Sequence, residues 1–221
     1  TGWRLNRAVD FVFPNVTIPA GGYLVAAANL AAFNAKYPGV ANVVGGWTGR
    51  LSNSRDEIEL EDAAGGQVDV VAYADEGDWA VRRNSAVGLG WEWFSGADGF
   101  GSSLELRQSA LDNNSGQNWQ PSAVAEGTPG VVNSAASSNI APLILSVTHF
   151  PAIPRSTNSV TILARIADES STGLTVRLWH RDGTTLPEFV SVNMLDNGLS
   201  NDGAAGDGLY GVVLPARGNQ S

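Results

Sequence analysis

The densest set of oxygen-bearing side chains in this sequence is Asp196-Asn197-Gly198-Leu199-Ser200-Asn201-Asp202-Gly203-Ala204-Ala205-Gly206-Asp207-Gly208. Three carboxylates and two side-chain amides fall in 13 residues, with glycines that let the backbone fold back. Calcium takes about 6–8 oxygen ligands of this kind. Asp196, Asn197, Asp202 and Asp207 are therefore candidate ligands for a calcium ion, and no other cofactor is expected. The spacing is not that of an EF-hand, which places acids at its first, third and fifth positions and a glutamate at its twelfth. The competing reading is a long turn in which Asp and Asn bond their own backbone and tolerate left-handed angles. Should calcium bind, Asp196, Asp202 and Asp207 would be the charged ligands, and binding would stabilise a sandwich edge rather than drive a reaction.

Catalytic sets are harder to find. Glu59 and Glu61 share one face of a strand, about 7 Å apart from two rises along an extended chain. That falls near the spacing of glycosidase carboxylates. Period-2 alternation with Ile58 and Leu60 explains them as the solvent face of a half-buried strand, and nothing nearby would raise one pKa as a general acid requires. The two histidines, His149 and His180, lie at expected strand ends, and no Gly-x-Ser-x-Gly elbow presents a serine to either. Gly96-Ala97-Asp98-Gly99 lacks the lysine and the strand-to-helix context of a phosphate loop. Asp75-Glu76-Gly77-Asp78-Trp79 reads as a solvated acidic turn with Trp79 folded back on the core. No catalytic residue is assigned, and the chain is not expected to be an enzyme.

One aromatic pair could bind a ligand. In Gly90-Trp91-Glu92-Trp93-Phe94-Ser95-Gly96 an extended chain puts Trp91 and Trp93 on one face. Exposed, they would stack on sugar rings. Buried, they would cap the sandwich, and burial is the expectation. Exposure of Trp91 discriminates between the two.

The composition narrows the classes further. The chain has 221 residues and a net charge of −9, with a single lysine, Lys36. Phosphate backbones require clustered Lys and Arg, so a nucleic-acid partner is not expected. With no cysteine there is no disulfide framework, thiol nucleophile or zinc finger. No apolar run approaches the ~20 residues of a membrane-spanning helix, so no membrane insertion is expected within this segment.

The elements that must carry these residues are strands. Asp56-Glu57-Ile58-Glu59-Leu60-Glu61-Asp62, a turn at Ala64-Gly65-Gly66, and the return Gln67-Val68-Asp69-Val70-Val71-Ala72-Tyr73 give a hairpin. Asn29 is a good N-cap for a short helix near residues 30–37 that stops at Pro38-Gly39. Gly127-Thr128-Pro129-Gly130 makes a rigid turn, and Asn133-Ser134-Ala135-Ala136-Ser137-Ser138-Asn139 is small and polar, with nothing to bury. Strands are then expected near 143–148, 159–167, 174–181, 189–195 and 209–215. The expected fold is all-β: two tandem immunoglobulin-like β-sandwiches over residues 1–133 and 143–221, joined by a linker at 134–142. Thr1-Gly2-Trp3-Arg4-Leu5 reads as the middle of a strand, with no initiator methionine or signal peptide, and only about five strands follow the linker. Both sandwiches are therefore expected to be truncated.

A family likeness covers the first of these units. It is carried by Gly2-Trp3-Arg4-Leu5, Phe11-Val12-Phe13-Pro14, Ile18-Pro19-Ala20-Gly21-Gly22-Tyr23-Leu24-Val25 and Trp47-Thr48-Gly49-Arg50-Leu51-Ser52-Asn53, then by the 56–62 and 66–73 strands. Gly77-Asp78-Trp79, Ser103-Leu104-Glu105-Leu106, Asn118-Trp119 and Gly127-Thr128-Pro129-Gly130-Val131-Val132-Asn133 complete it. In this order these segments resemble a bacterial lamin tail domain. Two earlier strands with which that family normally opens are absent. The second half is similar to the immunoglobulin- or fibronectin-like modules that follow such domains, through Val160–Asp168, Asn193–Gly198 and Gly206–Gly211. The resemblance implies a non-catalytic accessory, structural or adhesion segment of a secreted or cell-surface bacterial multidomain protein. Its partners would be other domains of the same polypeptide and a cell-surface glycan or protein. The alternative is a carbohydrate-targeting module of a polysaccharide-acting enzyme.

Overall fold

The computed structural model describes residues 2–85, 88, 90–170, 172–181 and 188–218. Thr1, and the turn expected after His180, lie outside them. The chain divides into two compact units, Thr1–Ser138 and Asn139–Ser221. Strands dominate both, and one short helix is present. Among the described residues no helix is long and apolar enough to cross a membrane.

The first unit begins with β1 (Arg4–Arg7) and β2 (Val9–Val12), then β3 (Val25–Ala27), α1 (Leu30–Lys36), β4 (Val43–Gly45) and β5 (Thr48–Gly49). β6 (Arg55–Glu61) and β7 (Gln67–Ala74) form the hairpin expected from their alternation. β8 (Val81–Asn84), β9 (Trp91–Phe94), β10 (Leu104–Leu106) and β11 (Trp119–Pro121) follow. The main sheet is antiparallel, in the order β5-β2-β1-β6-β7. The remaining strands pair two by two: β3 with β4 in parallel across α1, β8 with β9, and β10 with β11. The Asn29 side-chain oxygen accepts the Ala32 N–H at 2.9 Å, which satisfies one of the open donors of the α1 first turn. Gly49 closes the β5 edge at φ +100°, and a Cβ there would stand 2.4 Å from the Ala8 carbonyl oxygen. No other residue fits that approach.

Part of the segment read as a linker is built into this unit. Glu105, in the middle of β10, is buried. Its carboxylate accepts the Ser134 hydroxyl at 2.8 Å, the Ala135 N–H at 2.9 Å, the Thr128 hydroxyl at 2.9 Å and the Thr128 N–H at 3.2 Å. Small polar residues have little surface to bury, but their donors fasten the 127–135 stretch to a buried charge. Asn118 does similar work and is fully buried. It donates to the Gln108, Leu111 and Asp112 carbonyls and accepts the Gln108 N–H.

The second unit holds β12 (Leu143–Phe150), β13 (Val160–Ala167), β14 (Val176–His180), β15 (Val190–Met194) and β16 (Leu209–Leu214). All five lie within two residues of the ranges expected from the sequence. They form a three-stranded sheet, β12-β13-β16, and a two-stranded sheet, β14-β15, all antiparallel. Ala164, Ile166 and Val212 of the first sheet form the buried cluster with Met194 of the second, and Val176, Leu178 and Val192 pack against it. Burial of these alternating side chains from two facing sheets is the main stabilising term.

Candidate functional site

The paired glutamates are not on a solvent face. Glu59 and Glu61 are 5% and 6% exposed, less than Ile58 and Leu60 beside them. The reason lies one strand away. Register pairs Arg4 with Glu61 and Asn6 with Glu59 across β1 and β6. Arg4 Nε bonds Glu61, Asn6 Nδ2 donates to Glu61 at 2.8 Å, and Arg7 Nε reaches Glu59 at 2.6 Å. The Arg4 hydrogen bond, then that of Asn6, holds the Glu61 carboxyl below the ordinary carboxylate range. A carboxylate held in its charged form this way has no proton to give at neutral pH, so Glu61 is not a general acid.

The 196–208 loop brings Asp196, Asn197, Asp202 and Asp207 together, with their oxygens turned to the backbone. Asp202 is fully buried and accepts the N–H groups of Ser200, Asn197 and Gly198 at 2.6, 2.8 and 3.0 Å. Asp196 accepts from Gly206 and Gly208 at 2.7 and 2.8 Å. Asp207 accepts from Leu209 and Ala204 at 2.9 and 3.0 Å, and Asn197 Oδ1 accepts from Leu199 at 3.0 Å. Asn201 sits at φ +58°, the left-handed conformation that asparagine tolerates. Burial alone would raise the Asp202 pKa, but the backbone donors outweigh it and the net shift is downward. Among the described residues no group of three or more His, Asp or Glu side chains is placed to hold a metal ion.

Trp91 and Trp93 are exposed, at 51% and 36%, against the expectation of burial. β8 and β9 form a two-stranded sheet of their own, on which these two rings keep much of their surface exposed. The rings meet edge to face with centroids 5.4 Å apart. The Arg82 guanidinium carbon lies 3.5 Å from the Trp91 centroid and 5.4 Å from that of Trp93. Arg82 and Trp93 thus both contact the Trp91 ring, which still keeps about half of its surface open.

A cleft opens at the root of this hairpin, and the sequence alone did not bring its parts together. The inner lobe, about 380 Å³, is walled by Leu51, Tyr73, Trp79, Ala97 and Leu104. The outer lobe, about 530 Å³, is polar, with Arg50, Asn53, Asp75 and Asp98. Both volumes fall in the range of small-ligand sites. The Tyr73 hydroxyl donates to the Ser52 carbonyl at 2.6 Å and fixes the 51–54 loop against β7. Gly116 sets Trp79: a Cβ there would stand 2.6 Å from the Asp78 carbonyl carbon and 2.7 Å from the Trp79 nitrogen. Trp79 in turn packs on Trp119 at 5.8 Å. Unlike the loop and sheet carboxylates, the Asp75 and Asp98 side chains, with that of Asn53, make no hydrogen bond or ion pair among the described residues. The separate turns 75–79 and 96–99 gave no signal that they share a wall.

His149 Nδ1 lies 3.1 Å from the Pro151 carbonyl oxygen, and His180 ends β14. The chain matches no family model, no curated protein and no solved structure.

Proposed function

We propose that this chain is a non-catalytic accessory segment of a secreted or cell-surface bacterial multidomain protein. It is a lamin-tail-like unit followed by an immunoglobulin- or fibronectin-like unit, and it spaces or presents neighbouring domains at the cell surface or outside the cell. One observation carries this reading. The clustered carboxylates that could serve a reaction are committed internally: Glu59 and Glu61 to Arg7, Arg4 and Asn6, Glu105 to the 127–135 stretch, and Asp196, Asp202 and Asp207 to backbone amides. Groups bonded in this way stabilise a fold and are not themselves free to activate water or a nucleophile. Hydrolase assays over polysaccharide, peptide and ester substrates test it. The expected result is no turnover; turnover abolished by a single carboxylate or histidine substitution would overturn it.

A second reading, carbohydrate targeting, is favoured by the exposure of Trp91 and by the cleft at the root of the same hairpin. Apolar C–H faces of a sugar ring fit an aromatic wall, and hydroxyls both donate to Asp75 and Asp98 and accept from Asn53. A glycan array tests it with the intact chain and with Trp91→Ala and Asp98→Asn. Binding lost in either variant supports this reading, and a blank array removes it.

A further inference from the structure

The cleft at the root of the β8–β9 hairpin holds acids that the fold does not use. Asp75 and Asp98 line both of its lobes, yet their side chains bond nothing among the described residues. Their backbones are fixed. The Asp75 N–H donates to the Ser54 carbonyl at 2.8 Å, and the Asp98 N–H to the Ser95 carbonyl at 3.1 Å. Two carboxylates are thus carried on anchored backbone with their oxygens unused, so little ordering is needed when a ligand arrives. The cleft lies at the Val81–Phe94 end of β8 and β9, and Asn84 and Trp91 are the pair at the other end. Every lining residue belongs to the first unit and is among those described.

Charge decides which ligand suits the cleft. Arg50 lines the outer lobe, and its guanidinium has no side-chain partner among the described residues either. Two carboxylates and one guanidinium leave the cleft negative by one charge. Neighbouring charges do not reverse that sign. Arg55 and Glu76 pair with each other at 3.3 Å. Asp56 accepts the Ser52 and Glu57 N–H groups at 3.1 and 3.0 Å, and Asp78 accepts from Gln117 at 3.0 Å. A neutral ligand leaves the imbalance, a carboxylate increases it, and a single ammonium cancels it. The inner wall suits the same ligand. Tyr73 and Trp79 line that lobe, and aromatic rings attract both apolar C–H faces and cations.

We propose that the cleft takes a sugar residue bearing a free amino group, in its ammonium form, from a longer glycan. This rests on the carbohydrate reading and narrows it to one class of sugar. The ammonium has three donors for Asp75 and Asp98, and the ring hydroxyls bond Asn53 in the outer lobe. Acetylation of that nitrogen removes its charge and leaves one N–H for two carboxylates.

The test is calorimetry on the full chain with three oligomers of equal length, made of glucosamine, N-acetylglucosamine and glucose. The glucosamine oligomer should bind about tenfold more tightly than its acetylated counterpart, the scale of one charged hydrogen bond. That advantage should shrink as salt is added. Asp75→Asn and Asp98→Asn should each erase most of it and cost the neutral oligomers less, because an amide oxygen still accepts from a hydroxyl but carries no charge. Arg50→Gln should tighten glucosamine binding about threefold, since it removes a like charge from the rim. Asp10→Asn, in β2 and outside the cleft, should change nothing. Equal binding of the free and acetylated oligomers overturns the proposal and leaves the carbohydrate reading standing. An equal loss from Asp10→Asn overturns it too, by assigning the preference to the overall negative charge. No binding of any of the three removes the carbohydrate reading itself.

Discussion

The Arg82 guanidinium carbon stands 3.5 Å from the centre of the Trp91 ring, on the two-stranded sheet of β8 and β9. Such contacts contribute about 0.5–1 kcal/mol at exposed sites. Trp91→Ala should therefore cost no more than about 1 kcal/mol in urea unfolding, since little apolar area is lost from a core. A loss above about 3 kcal/mol would mean the ring is packed as a core residue, contrary to its exposure.

Asn118 should behave in the opposite way. Replacing it with alanine strands three carbonyls and one N–H in a buried site. We expect a loss of about 3–5 kcal/mol, read as a shift in denaturant midpoint with unchanged slope. A shift equal to that of a surface substitution would show that water satisfies those groups.

Gly116→Ala tests the seating of Trp79. Overpacking of this kind costs about 1–3 kcal/mol. The new methyl must push the Asp78–Trp79 backbone away, so the near-ultraviolet dichroism of the Trp79–Trp119 pair should weaken while far-ultraviolet dichroism stays. Any ligand of the adjoining cleft should bind more weakly to this variant.

Stability should fall on the acid side. Burial alone would raise the Glu105 pKa, but Ser134, Ala135, Thr128 and Ser103 outweigh it and the pKa lies below the ordinary 4.5. Glu61, Asp202 and Asp207 shift the same way. A carboxyl lowered by folding contributes stability that is fully present above its unfolded value. That stability is lost as the pH falls through the folded value. Melting temperature should therefore hold from neutral pH down to about 5 and drop below about 4.5. Glu105→Gln should lie lower at pH 7 and lose less on acidification. An unchanged acid limb in that variant would assign the effect to the other three groups.

Calcium at millimolar concentration should leave the melting temperature where chelator leaves it. A ligand that binds only the folded state raises it, and in the 196–208 loop the backbone already takes up the oxygens such an ion needs. A rise of several degrees, lost in Asp202→Asn, would support the ion-binding reading.

Local rules carried the fold a long way. The Asn29 cap, the hairpin of β6 and β7, and the five strands after residue 142 were legible because each depends on neighbours in sequence. Alternation at Glu59 and Glu61 identified two faces correctly and misjudged which one is covered. The deciding partners, Arg4 and Arg7, lie more than 50 residues away. Trp91 and Trp93 are expected inside because large aromatics bury area against a second layer, and on the two-stranded β8-β9 sheet both rings stay exposed. Ser134 and Ala135 have little apolar surface, so composition marked them as linker, while their donors serve Glu105. The cleft walls come from three turns with no shared motif, and only the folded chain brings them together.

The 196–208 loop has a consequence for how this protein ages. Asn197-Gly198, Asp202-Gly203 and Asp207-Gly208 are dipeptide steps of the kind at which chains slowly rearrange, when the glycine nitrogen attacks the preceding side-chain carbonyl. Here the Gly198 N–H is held by Asp202 at 3.0 Å and the Gly208 N–H by Asp196 at 2.8 Å. Each nitrogen has one hydrogen to donate, and it is occupied. The same carboxylates that shape the turn keep two of these three steps, Asn197-Gly198 and Asp207-Gly208, in their original chemical form for as long as the loop stays folded.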